Sequence, residues 1–165
     1  MKIYNVHERL FKASEDQLGS ILDSLSGPDD QVWPGDRWPP MRFDKSLSVG
    51  ASGGHGPVRY SVKEYVPGRK VSFEFARKGL TAGMNGGHTI EIDPKDDGVI
   101  VRHVVWAECG FLMWMKWGIL VGPLHDALLE DALDNVERRL FGRVEKPAKW
   151  SAWVRVLRSI VARRN

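Results

Sequence analysis

The sequence predicts an α+β fold, a curved antiparallel sheet of about six strands wrapped around one long C-terminal helix. Three observations lead there. An opening strand and helix are followed, from Lys45 to Cys109, by short alternating segments separated by Gly- and Pro-rich turns. At Phe111 the apolar period changes to that of a helix, and an amphipathic stretch runs from Trp117 to Phe141. A sheet that is apolar on one face needs one cover, and this helix has a stripe broad enough to be it. A strongly curved sheet covered in that way leaves space between the layers, and such gaps bind ligands.

In residues 2–11, Tyr4, Val6, Glu8 and Leu10 alternate with Ile3, Asn5, His7, Arg9 and Phe11, the period of a half-buried strand. Ser14, with Gln17 three positions on, is a capping box for a helix whose apolar face is Leu18, Ile21, Leu22 and Leu25 and which Gly27-Pro28 stops. Residues 28–43 are rich in proline and aromatics and predict an ordered loop, pinned to the core by Trp33, Trp38, Met41 and Phe43. Five strands follow as a meander: Lys45–Ala51, Pro57–Val66, Lys70–Arg77, Met84–Asp93 and Val99–Cys109. Their links are the SGGHG turn, Pro67-Gly68, a looser Lys78–Gly83 segment and the Pro94–Gly98 turn. Gly118, Gly122 and Pro123 predict a break or kink early in the closing helix, with Pro123 in a first-turn position. Beyond it Leu124, Leu128, Leu129, Ala132, Leu133, Val136 and Leu140 form the apolar stripe, and Gly142 is the C-cap. The chain therefore divides into a domain over 1–142 and a basic, amphipathic helical extension over 143–165.

A chain of 165 residues, 42% hydrophobic and 27% charged, is long enough for one domain with a real core. No apolar run approaches the ~18 residues of a membrane span. The opening MKIYNVHERLF lacks the apolar core of a secretory signal, and the single cysteine, Cys109, cannot form an internal disulfide. These features predict a cytoplasmic protein. The net charge of +3 conceals an asymmetry: residues 1–142 carry 17 basic against 20 acidic side chains, and residues 143–165 carry 7 against 1. The basic character belongs to the tail, and the body makes no case for nucleic acid.

Several local features carry a family resemblance: the glycine-rich Gly50–Pro57 link, the Tyr65-x-Pro67-Gly68 hairpin and the closing-helix run from Pro123 to Asp134. With the element order, they resemble the helix-grip fold of the START-like superfamily over about residues 2–142, and within it bacterial members described as SRPBCC-type proteins of the polyketide cyclase/dehydrase and lipid-transport group. The resemblance implies the fold and a cavity. It does not select among the carriers, hormone receptors, cyclases and chaperone activators that use this cavity. Two departures stand out. The second short helix of the pollen-allergen type is replaced by the Trp/Pro loop, and the basic tail from Lys146 has no counterpart.

Hairpin register then proposes a site. If the Asp93–Gly98 turn pairs Ile92 with Val99, His88 faces His103; the Pro67-Gly68 turn pairs Val62 with Phe73 and Tyr60 with Phe75. The inner face would carry a row Tyr60–Phe75–His88–His103, and a register slip of two residues would keep the same faces. The predicted ligand-cavity residues are Tyr60, Phe73, Phe75, His88, His103, Trp114, Trp117, His125 and Leu129, with His125 entering from the helix and Trp114 and Trp117 at the mouth. Trp33, Trp38 and Trp106 are further candidates for a wall against a flat or lipidic ligand. The histidines read as core or cavity residues, as polar contacts to a ligand, or as acid/base groups. No catalytic residue, metal site or cofactor is assigned, because no pair of histidines has a metal-ligand spacing. Glu64 has inward parity, Glu108 outward, and the acidic row Asp126, Glu130, Asp131, Asp134 reads as a solvated helix face. Gly53, Gly54 and Gly56 read as a tight strand connection rather than a phosphate loop.

In the tail, Trp150, Trp153, Val154, Val156, Leu157, Ile160 and Val161 share one side of a helical wheel, with Arg155, Arg158 and Arg163 outside it. That pattern fits an anionic membrane surface, which would make the protein peripheral to the inner face of the membrane. It also fits docking on the domain itself, self-association through residues 146–165, or a frayed tail. The functional readings are a binding or carrier protein for a hydrophobic or amphipathic small molecule, an aromatase/cyclase-type enzyme with a cavity histidine as acid/base, and an interaction module working through its C-terminal helices.

Overall fold

The computed structural model describes residues 1–162. Its strands are β1 (Lys2–Phe11), β2 (Arg42–Phe43), β3 (Ser52–His55), β4 (Val58–Val66), β5 (Lys70–Phe75), β6 (Met84–Lys95) and β7 (Gly98–Cys109), and its helices α1 (Glu15–Asp23), α2 (Phe111–Lys116), α3 (Gly122–Phe141) and α4 (Ala152–Ala162). All strands join one antiparallel seven-stranded sheet, ordered β1-β7-β6-β5-β4-β3-β2, so a meander closes at one edge by pairing its last strand with the first. The inner face holds the core, with Ile3, Phe11, Tyr60, Val62, Val71, Phe73 and Val105 buried against Leu18, Leu22, Leu133 and Val136 of the helices.

Local chemistry accounts for most element ends. Ser14 and Gln17 form the reciprocal capping box at the start of α1. Gly142 ends α3 in the left-handed region, where its N–H reaches Arg138 O. The helix stops earlier than Gly27: α1 ends at Asp23, and Ser26 turns the chain at positive φ.

Two strand assignments differ from the sequence reading. Lys45–Ala51 is a loop, and the glycine-rich segment expected to be a turn is itself β3. The cause is steric. A Cβ at Gly53 would lie 1.9 Å from Arg42 O, so the short β2–β3 pairing requires glycine there. The β6–β7 hairpin also turns later than predicted, pairing Lys95 with Gly98 and Ile92 with Val101. Pro94 is a strand residue, not a turn residue. The Ile92 N–H points to β5 and bonds Arg69 O. Two residues on, Pro94 has its nitrogen on the same side, beyond the end of β5, where no ladder bond is lost. The resulting two-residue shift keeps every side chain on its expected face.

Between α2 and α3 the predicted break or kink takes the form of a π-helical irregularity that leaves the helix continuous. Trp117–Val121 form a π-helical turn, and the helix runs on from Phe111 to Phe141. In an α-helix Ile119 O would accept from residue 123, but Pro123 has no N–H. The Trp153 indole Nε1–H of the tail donates to that carbonyl, at 2.7 Å. The tail therefore docks on its own domain, with Val154 and Leu157 buried and Trp153, Val156 and Ile160 about half exposed. The side chains of Val161 and Arg163 lie outside the described residues.

Asp131, read as a solvated acid, is the buried anchor of this docking. Trp38 Nε1 (2.7 Å) and Trp150 Nε1 (2.9 Å) both donate to Oδ2, and the Arg37 guanidinium pairs with Oδ1. Asp134, equally buried, takes Arg9 and the Ala148 N–H, both at 2.8 Å. Replacing Asp131 with alanine leaves two indole N–H groups without their acceptor, at about 1–3 kcal/mol for each one buried, and unpairs the partly exposed Arg37. Asp131→Ala is expected to lower Tm and to make the bonds after Lys149 and Arg155 trypsin-sensitive, as read by intact-mass proteolysis kinetics.

Candidate ligand cavity

The cavity lies between the sheet's inner face, the π turn and α3, and encloses about 280 Å³. Pockets of about 300 Å³ mark the small end of the range for drug-sized ligands. Its wall is mostly apolar: Met41, Phe75, Met84, Ile90, Leu124 and Leu128 are representative.

Seven of the nine predicted residues line it: Tyr60, Phe75, His88, His103, Trp117, His125 and Leu129. Phe73 sits outside the wall, stacked against His88 with ring centroids 4.5 Å apart. Trp114 lies on the outer side of α2 beside Phe111, 42% exposed. Trp106 points to solvent from the outer face of β7. Trp33 and Trp38 both reach the wall. Sequence reasoning did not place His55 there, because it was read as part of a turn; as a β3 residue it packs on Trp33 at 4.7 Å. Arg158 was also missed as a wall residue, since only the docked tail brings it there.

The histidines form a row from the cavity to β1, where His7 is the cross-strand partner of His103. His88 pairs with Val105 and His103 with Ile90, so the two imidazoles are diagonal neighbours, and His88 Nδ1 and His103 Nε2 meet at 3.1 Å. His103 and His125 ring centroids are 5.2 Å apart, and His125 and His7 5.9 Å. His7 closes the row in an ion-paired cage, with Nδ1 2.8 Å from Glu130 and Nε2 3.1 Å from Asp126.

Burial divides the row electrostatically. It holds His88 and His103 well below the usual imidazole pKa, and neighbouring histidines add to the effect. His55 is pushed down to about 3 by burial, with His125 and Arg59 contributing. Burial also lowers His125, outweighing its contact with Asp126. His7 is raised, because the hydrogen bond to Asp126 outweighs desolvation and Glu130 adds to it. Burial alone would raise Asp126, but the nearby His125 imidazole and the hydrogen bonds to His7 and Asn5 hold it well below the carboxylate range.

Two neutral imidazoles that share one hydrogen bond leave one ring nitrogen over on each. His103 Nδ1 is buried without a partner, whichever way the bond to His88 runs. Tyr60 Oη and His125 Nδ1 are also buried and unpartnered. Each such atom costs about 1–3 kcal/mol until something bonds it.

No carboxylate lines the cavity among the described residues. Glu64, given inward parity by alternation, is exposed and paired with Lys70, because a β-bulge between Val62 and Glu64 reverses the alternation. Among the described residues one group has donors suited to a cation: His7, His125 and Asp126 place their ligand atoms within 4.8 Å of one another. There Asp126 Oδ1 already accepts from Asn5 Nδ2 at 3.0 Å and contacts His7 Nε2, so the group is balanced as an ion pair.

Solved structures share this fold. Norcoclaurine synthase from Thalictrum flavum, solved with dopamine and hydroxybenzaldehyde, superposes with TM-score 0.63 at 14% identity, covering 88% of this chain and 90% of that one. The protein has the helix-grip, START-like fold. A Thermobifida fusca protein matches with TM-score 0.62 at 15% identity over 91% of this chain and 99% of its own. CalU16 from Micromonospora echinospora matches with TM-score 0.56 at 15% identity over 99% of this chain and 84% of its own. No family profile and no curated protein matches the sequence.

The pKa directions give stability a signed pH dependence. A buried histidine with a lowered pKa is neutral in both states above the unfolded value near 6.5, and destabilises the fold as pH falls below it. Each imidazole that stays neutral at pH 5 costs about 2 kcal/mol there. His7 has the opposite sign: its contribution is full below about 6.5 and lost as pH rises through its raised folded pKa. With His88, His103, His55 and His125 set against His7, Tm is expected to fall by well over 5 °C between pH 7.5 and pH 5. His103→Leu should shrink that fall, and an unchanged pH profile in the variant would contradict the assignment.

Proposed function

We propose that the protein binds or carries a hydrophobic or amphipathic small molecule in the space between sheet and closing helix. The observation that carries this reading is an apolar cavity of about 280 Å³ whose wall residues Tyr60, His103 and His125 each hold one buried, unpartnered polar atom. Apolar surface supplies affinity and a few convergent polar groups supply orientation, which is the usual composition of a binding site. In this reading Phe75, Trp117 and Leu129 contact the apolar body, while Tyr60, His88, His103 and His125 meet an uncharged hydrogen-bonding group.

An aromatase/cyclase-type reaction is supported less well. An acid/base histidine works best with a pKa near the working pH. His88 and His103 are held well below theirs and touch no carboxylate among the described residues. His125 is the one cavity histidine beside a carboxylate, with Nδ1 3.6 Å from Asp126. It is the residue on which a catalytic reading would rest.

Displacement of the neutral fluorophore N-phenyl-1-naphthylamine tests the binding reading. Wild type is expected to bind it with a micromolar Kd. Leu129→Trp, which fills the cavity, should abolish the signal while the fold persists by circular dichroism. Binding that survives Leu129→Trp would place the probe elsewhere and overturn the proposal. Native mass spectrometry of protein purified without detergent should show a co-purifying mass, and His103→Leu should lower its occupancy about 3–10-fold, the worth of one hydrogen bond.

A further inference from the structure

We infer that the ligand is a hydrophobic acid whose anionic group is held by Arg158 of α4, so that the C-terminal extension both closes the cavity and supplies its counter-charge. The inference rests on the binding reading above and adds the class of ligand. It starts from where the tail lies. Ala148 N–H bonds Asp134, Trp150 bonds Asp131 and Trp153 bonds Ile119 O, three tethers that lay α4 against α3 and the 28–41 loop. Along α4 these contacts turn Val154, Leu157 and Arg158 inward, and Arg158 becomes part of the cavity wall.

Among the described wall residues Arg158 is the one side chain permanently charged at neutral pH. Its guanidinium lies over the Trp38 ring, 4.4 Å from the centroid, and 5.6 Å from that of Trp150. One Nη2–H donates to Arg37 O, and Nε is buried with no partner. The local charges do not cancel. Asp131 is matched by Arg37 and its second oxygen is taken by two indole N–H groups, which leaves Arg158 as the surplus cation. A half-buried guanidinium without a carboxylate is a costly arrangement that an anion relieves. Arginine also suits a planar carboxylate, because its N–H groups form a rigid fork. The histidine end of the cavity cannot take that role: neutral imidazoles bond polar groups but do not balance charge. The two ends thus ask for different chemistry, an anion under α4 and a neutral group at His88–His103, with an apolar body between.

Dodecanoate and 1-dodecanol, equal in chain and different in charge, test this by displacement of N-phenyl-1-naphthylamine from the full chain. Wild type is expected to prefer dodecanoate. Arg158→Leu should weaken dodecanoate about 10–100-fold, the range for a hydrogen bond to a charged group, and leave dodecanol within twofold. Arg158→Lys, which keeps the charge but not the fork, should fall between. Arg155→Leu, on the exposed side of the same helix, should change neither. Equal weakening of both probes by Arg158→Leu, or an unchanged dodecanoate affinity, overturns the anion assignment and leaves the cavity reading standing. Failure of all three molecules to bind wild type overturns both.

Discussion

A ladder of polar contacts between β1 and α3 sets the position of the closing helix, and much else follows from that position. Asn5, His7 and Arg9 project from the inner face of β1 and meet Asp126, Glu130, Asp134 and Glu137 on α3. The periods match. Two strand residues advance about 6.6–6.8 Å and four helix residues about 6.0 Å, so successive partners stay in step. Arg9 alone contacts Asp134, Glu137 and Glu130 at 2.8, 2.8 and 3.1 Å. An interface of this kind is directional in a way that apolar packing is not, because a shift of one turn would strand several partly buried charges.

Once the acidic side of α3 is held on β1, Leu128, Leu129, Ala132, Leu133 and Val136 are turned toward the interior. The cavity is the space that this stripe and the curved sheet leave unfilled. The helix also carries His125 into line with His103 and His7, joining three imidazoles that belong to three different elements. A further acidic residue, Asp131, binds the tail, and Asp134 contacts both β1 and the tail. One helix thus serves as sheet cover, cavity wall and docking site.

Much of this was legible in the residues themselves. Alternation located β1 and the inward parity of His88, His103, Tyr60 and Phe75, and the Ser14/Gln17 pair and Gly142 marked two helix ends that the structure keeps. Where the reading went astray, a pair of distant segments decided the outcome. Gly53 and Gly54 looked like turn residues until Arg42 and Val58 came close on either side. Glu64 looked inward until a bulge reversed its parity. Asp131 and Asp134 looked solvated because their partners, Trp38, Trp150 and Arg9, lie far away in the chain.

The sequence by itself determined the order of elements, the faces of the long strands and the amphipathic closing helix, since these depend on local period and local steric preference. Only the tertiary structure decided the β6–β7 register, the route of the tail and the arrival of His55 and Arg158 at the cavity wall. The reason is physical: a register shift of two residues leaves each strand's own pattern unchanged, and an indole that caps Ile119 O is invisible until Pro123 has removed the helix's own donor and the chain has folded back to replace it.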